Sequence, residues 1–171
     1  SNPTRIGLVS STSVGGMDLT EHFFEDFIED ERAGRLRDVR MHDCAASTDA
    51  IAHYAGIKGY TTTLSTACSS AANAVITGAK LLKHNIVDTV VVGGSDALSA
   101  FTLNGFKSLM ILDDKPCRPF DETRAGLNLG EGAGYIVLQR EEDAMNYICH
   151  LGGYANRNDA HHQTASSAEG N

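Results

Sequence analysis

A chain of 171 residues, 42% hydrophobic and 21% charged, is long enough to bury one substantial core and gives no reason to expect several domains. Its formal net charge of −8 argues against a nucleic-acid partner, and no basic stripe interleaved with aromatics offsets that sum. Apolar runs are short and broken by Gly, Asp or Lys, which excludes a helical membrane span, and no charged-then-apolar signal pattern opens the sequence.

Cys44, Cys68, Cys117 and Cys149 stand far apart with no C-x-x-C pair. Neither a metal site nor a thioredoxin-like motif is expected from such spacing, and a reducing, cytoplasmic setting fits it. Ser1-Asn2 ahead of Pro3 reads as an expression scar, outside the expected fold.

In chain order, the run RIGLVS at residues 5–10 predicts a strand, followed by a loop in which Gly15 and Gly16 allow a tight turn. Leu19, Phe23, Phe24, Phe27 and Ile28 recur at helical spacing, so residues 18–31 are expected to form an amphipathic helix that buries an aromatic face. Arg32, Arg35, Arg37 and Arg40 then make a local basic patch, either a solvated loop or a docking surface for an acidic partner. Ser47-Thr48-Asp49 can cap a short helix over residues 48–56 that stops at Gly56.

The stretch TTTLSTACSSAANAVITGAKLLK, residues 61–83, changes period from two to 3.6 around Cys68. A strand over residues 61–66 is expected to lead into a helix whose stripe is Ala72, Val75, Ile76, Ala79 and Leu82. A thiol just ahead of a helix start faces unpaired N–H groups and partial positive charge, which favour the reactive thiolate. Cys68 is therefore a candidate covalent nucleophile, and its small neighbours leave room for a substrate; the same position also suits an ordinary small buried cysteine.

Residues 89–92 read as a strand buried on both faces, completing a right-handed βαβ crossover in a mainly parallel sheet. Gly93-Gly94-Ser95-Asp96 is expected to close that strand at the end where open α/β sheets place their ligands. A helix or loop over residues 101–113, an irregular segment bracketed by Pro116 and Pro119, a strand over 135–139 and a closing helix over 140–150 complete the reading. The glycines of GLNLGEGAG precede a strand, so close backbone packing or a bulge is expected there rather than a phosphate cradle, which must follow a strand. His161-His162 are expected to be solvent-exposed rather than metal ligands.

Four motifs in one order carry a family resemblance: Thr66-Ala67-Cys68-Ser69-Ser70-Ala71; Gly93-Gly94-Ser95-Asp96; Arg118-Pro119-Phe120-Asp121 with Arg124 and Gly126; and Gly130-Glu131-Gly132-Ala133-Gly134. Together they resemble the β-ketoacyl-[acyl carrier protein] synthases, the condensing enzymes of the thiolase fold. Asn158-Asp159-Ala160-His161-His162, Thr164 and Glu169-Gly170 look like that family's mid-chain segment. The resemblance implies an α/β, thiolase-like fold of layered helices and a mostly parallel sheet, incomplete here: residues 3–171 correspond to part of the first of two pseudo-symmetric halves.

It also implies roles. Cys68 matches the cysteine that takes an acyl group from a carrier thioester and lends its backbone N–H to an oxyanion hole. Val14 matches a position facing the growing acyl chain, and Arg35 and Arg37 fall where relatives present basic residues to the acidic carrier. The family reaction is acyl transfer to the cysteine, then decarboxylation of malonyl carrier and Claisen attack on the acyl-enzyme, with no cofactor.

The partners implied are acyl carrier protein with acyl and malonyl thioesters and a second copy of the chain, with no nucleic acid and no membrane. The second step uses two histidines, accompanied by a structural lysine and a gating phenylalanine. No His-Gly-Thr motif stands in this sequence, so this stretch alone is expected not to complete a condensation.

Ala125-Gly126-Leu127-Asn128 and a shortened 113–119 segment depart from the usual pattern. They suit bacterial secondary metabolism, including polyketide-type synthesis, as well as fatty acid biosynthesis. The readings that compete with an acyltransferase are a non-catalytic carrier-binding or dimerisation module and a thiolase acting on coenzyme A thioesters.

Overall fold

The computed structural model describes residues 2–162 and 167. Strand β1, Ile6–Ser11, is buried from Gly7 onward because it is flanked on both edges. It pairs in parallel with β2, Thr61–Leu64, at Leu8↔Thr61 and with β3, Thr89–Asp96, at Ile6↔Thr89. Strand β4, Gly132–Gln139, joins β3 antiparallel from Thr89↔Gln139 to Asp96↔Gly132, giving the order β2-β1-β3-β4. The sheet is parallel except at that last strand.

Among the described residues five α-helices accompany it: α1 Met17–Glu29, α2 Leu36–Arg40, α3 Ala45–Ala55, α4 Ser70–Lys83 and α5 Ala100–Ser108. Helix α4 lies on β1 and β3, and its Ala74, Leu81 and Leu82 form the core with Val9, Val87, Val90 and Val92. A Cβ at Gly78 would run into the Val92 side chain, so glycine lets the helix approach the sheet closely. Overpacking of that kind costs about 1–3 kcal/mol, more than the roughly 1 kcal/mol that a glycine costs a helix interior.

The α4 stripe is thus a correction to the sequence reading. The buried residues are Ser70, Ala74, Gly78, Leu81 and Leu82; of the expected stripe Leu82 is buried and Val75 packs against the core, while close approach at Gly78 sets Ala74 and Leu81 in place of the others. A second correction concerns α1. Phe24 is 55% and Ile28 68% exposed, since α1 packs on α2 and the start of α5 and not on the sheet. Phe23 and Phe27 stack at 5.7 Å, and Phe23 rests against Gly34.

A third correction is the end of β3. Gly93-Gly94-Ser95-Asp96 continue the strand because β4 pairs with them residue for residue. A Cβ at Gly93 would meet the Gly134 carbonyl, which is the close packing expected of this glycine-rich pair. Helix α3 starts at Ala45, earlier than expected, because the Asp43 carboxylate accepts from the Ala45 N–H at 2.8 Å; it ends at the left-handed Gly56.

No closing helix forms over 140–150: a single 3-10 turn, Glu141–Asp143, gives way to irregular chain through Asn146, Tyr147, Ile148 and Cys149. These residues are poor helix formers, and Arg140 is held elsewhere. His161 and His162 are exposed, whereas Thr164, Glu169 and Gly170 lie outside the described residues. No described helix is long and apolar enough to cross a membrane. Apolar side chains stay open at Phe101, Met110, Ile136, Val137 and Ile148, as a piece of a larger fold would leave them.

One polar knot ties three strand termini together at one end of this sheet. Asp88 accepts from Arg5 Nε at 3.0 Å and from a terminal Arg5 nitrogen at 2.6 Å, and Arg140 donates to the same carboxylate at 3.0 Å. Arg5 also reaches the Asn85 and Ile86 carbonyls, and Arg140 the Val87 carbonyl and Asp143. The Arg5 and then the Arg140 hydrogen bonds hold the Asp88 carboxyl far below the ordinary carboxylate range.

A depressed native pKa contributes stability above the unfolded value, about 3.9, that is lost as pH falls toward the native one. Asp88→Asn is expected to unfold at lower urea than the parent at neutral pH, with the two midpoints converging below about pH 4. A constant gap across that range in urea titrations would contradict the role.

Candidate active site

Strand β2 ends at Leu64 and α4 starts at Ser70, and the turn between them bends through Ala67, whose φ is 54°. A left-handed conformation costs an L-residue about 1–2 kcal/mol, so surrounding contacts must hold it. They do. Ser70 Oγ accepts from the Thr66 N–H at 2.8 Å and donates to the Ala67 carbonyl at 2.6 Å, and Ser70 is 4% exposed.

Ser69 Oγ lies 2.8 Å from the Thr66 carbonyl, and Asn73 Nδ2 donates to Thr66 Oγ1 at 2.9 Å. Asn156 in turn donates to Asn73 Oδ1 at 2.6 Å. At about 1 kcal/mol net per hydrogen bond, this network outweighs the strain of one residue.

The result is that Cys68, between the strained residue and the helix, has an exposed thiol. It faces a cleft of about 210 Å³ whose walls come from the carboxyl ends of the parallel strands and their loops: Ser11, Ser13, Gly94, Ser95 and Asp96, with Gly132 of β4. Nearly every lining side chain is small, so the space beside the sulfur is open. Gly94, Ser95 and Asp96 of the expected ligand end line this cleft, and the pairing of the strands adds Ser11 and Gly132 to them.

The other sequence-level candidates lie elsewhere. Val14 is half-buried in the loop between β1 and α1, where its neighbour Ser13 enters the cleft lining. Arg35 stands at the N-cap position of α2 and Arg37 lies within the helix, both exposed. Among the described residues no histidine lines the Cys68 cleft, and no cluster of His, Cys, Asp and Glu is arranged to hold a metal ion.

The Arg118-Pro119-Phe120-Asp121 segment is a self-braced loop. Arg118 donates to the Thr123 carbonyl at 2.8 Å and pairs with Asp113, and Asn128 bridges the Cys117 N–H and the Asp113 and Lys115 carbonyls. Asp113 is held below the ordinary carboxylate range, chiefly by the Lys115 N–H. Asp121 is lowered first by the Thr123 hydroxyl and then by the Thr123 N–H.

Comparison with known proteins gives the family. The family described as beta-ketoacyl synthase, N-terminal domain, matches residues 2–144. Nodulation protein E of Rhizobium meliloti strain 1021 is 31% identical over 99% of this chain and 44% of its own length. The 3-oxoacyl-[acyl-carrier-protein] synthase 2 of Staphylococcus aureus is 30% identical over 97% of this chain and 44% of its length. This chain therefore spans less than half of these relatives. Among solved structures, a ketosynthase in complex with its chain length factor from Xenorhabdus doucetiae superposes with a TM-score of 0.73 at 34% identity, covering 81% of this chain and 35% of that one. The chain belongs to the beta-ketoacyl synthase family, through that family's N-terminal domain.

Proposed function

We propose that this chain carries the acylation half of a decarboxylative condensation, with Cys68 as the nucleophile. The observation that supports it most is an exposed thiol held by a strained turn at the carboxyl ends of the sheet, beside an open cleft. The Cys68 thiolate attacks the carbonyl carbon of an acyl thioester, the carrier thiolate leaves with the proton Cys68 gave up, and the acyl group remains on Sγ. The Cys68 N–H, in the turn ahead of α4, serves as one oxyanion donor.

Extension by malonyl carrier needs the paired histidines that the resemblance implies, and among the described residues none lines this cleft. We therefore assign this stretch loading rather than the carbon–carbon step. The product belongs to fatty acid or polyketide-type synthesis, in a cytoplasmic setting that keeps the four cysteines as free thiols.

An acyl carrier protein is the proposed donor, a choice the name of the Staphylococcus aureus relative supports. Arg35 and Arg37 would receive its acidic surface, and Val14 would meet the acyl chain. Intact-mass analysis after incubation with acyl carrier is expected to show one acyl adduct, lost in Cys68→Ser. Replacing Arg35 and Arg37 with alanine should slow transfer from the carrier and leave transfer from a small N-acetylcysteamine thioester at the parent rate. No adduct, or one that persists in Cys68→Ser, would refute the assignment.

A second copy is the proposed neighbour of β2, which lies at the edge of the sheet with backbone groups open to pairing. That feature also supports the alternative of a dimerisation module. Light scattering is expected to give twice the 18.2 kDa of one chain, and a monomer at micromolar concentration would count against the pairing.

A further inference from the structure

We propose that Asp96 latches a partition between the Cys68 cleft and a second cleft, and so limits the length of acyl chain that Cys68 accepts. The second cleft, about 180 Å³, is walled by Leu19, Met41 and Ala97 alongside Asp18 and Asp43. Ser95 lines both clefts, and the loop after β1 stands between them: Ser13 faces the Cys68 side, while Thr12, Gly15 and Gly16 line the other.

Asp96 holds that loop from one side. One carboxylate oxygen accepts from Thr12 Oγ1 at 2.8 Å and from the Ser13 N–H at 2.6 Å, and the other accepts from Ser13 Oγ at 2.9 Å. Thr12 Oγ1 passes the restraint on by accepting from the Gly15 N–H at 3.1 Å. Asp96 is itself fixed as the last paired residue of β3, opposite Gly132. On the loop's far side a Cβ at Gly15 or Gly16 would run into the His42 or Met41 carbonyl, so the loop is wedged against that segment. Ser65 Oγ donates to the Ser13 carbonyl at 3.2 Å from the strand end that leads to Cys68.

Removing the carboxylate leaves the Ser13 N–H and two hydroxyls without an acceptor, frees the loop and joins the two clefts. The joined space has apolar wall at Leu19, Met41 and Ala97 for the distal part of a long chain. Asp96 acts through the loop and is a positioning residue, separate from the acyl transfer itself.

This rests on the assignment of Cys68 as acyl acceptor, and its test keeps the two apart. Acylation of Cys68 by acetyl and decanoyl N-acetylcysteamine thioesters is followed by peptide mass, each rate divided by the same variant's rate of Cys68 alkylation with iodoacetamide. That division removes any change in thiol reactivity. In each transfer Sγ bonds to the carbonyl carbon and N-acetylcysteamine leaves with the proton from Cys68.

The decanoyl-to-acetyl ratio is expected to rise roughly tenfold or more in Asp96→Ala, the scale on which a pocket discriminates by single methylenes. It should rise less in Thr12→Val, and return toward the parent ratio in Asp96→Asn, whose amide oxygen still accepts from Thr12 and Ser13. An unchanged or lower ratio in folded Asp96→Ala overturns the latch, and Thr12→Val decides in the same way if the alanine variant does not fold. A parent protein that takes neither acyl group overturns the Cys68 assignment, and the latch with it.

Discussion

The Ser70 hydroxyl, by joining the Thr66 N–H to the Ala67 carbonyl, holds the one strained residue on which the site depends. Without that bridge the chain between β2 and α4 has cheaper conformations than a left-handed alanine. With it, the strand direction is reversed within a few residues and the thiol is left at the surface. The cost is small against the two hydrogen bonds of Ser70 and the further ones of Ser69 and Asn73, so strain persists because the surroundings over-determine it.

The rest of the fold sets where that turn is placed. Parallel pairing of β1 with both β2 and β3 brings Ser11, the β2 exit and Gly94 to one end of the sheet. The Arg5–Asp88–Arg140 knot lies at the other end, tying the start of β1 to the entry of β3 and the exit of β4. Stability is thus concentrated away from the cleft, where small residues and polar loops leave space for a substrate. Asp96 extends the same division of labour, using a carboxylate in the lining to hold a loop.

Much of this was legible in the residues. The period change at Cys68, the apolar run of β3 and the four ordered motifs were enough to place the family. What could not be read depended on pairing in three dimensions. The α4 stripe is set by Gly78 against Val92, a close approach that periodicity does not encode. The length of β3 comes from β4, which follows it by some three dozen residues. The open face of α1 follows from its having α2 and α5 as neighbours rather than the sheet. Asp96 was visible as part of a motif, but its hold on Thr12 and Ser13 spans about half the chain in sequence.

The most direct measurement is the rate of acyl transfer to Cys68 in Ala67→Gly, taken together with its thermal stability. Glycine adopts the left-handed turn without strain, offsetting its own entropic cost of about 0.5–1 kcal/mol, so stability should be equal or slightly higher. Acyl transfer should nevertheless slow, because the turn that presents the thiol is no longer restricted to one conformation. A glycine variant acylated as fast as the parent would contradict the view that the strained turn positions the nucleophile.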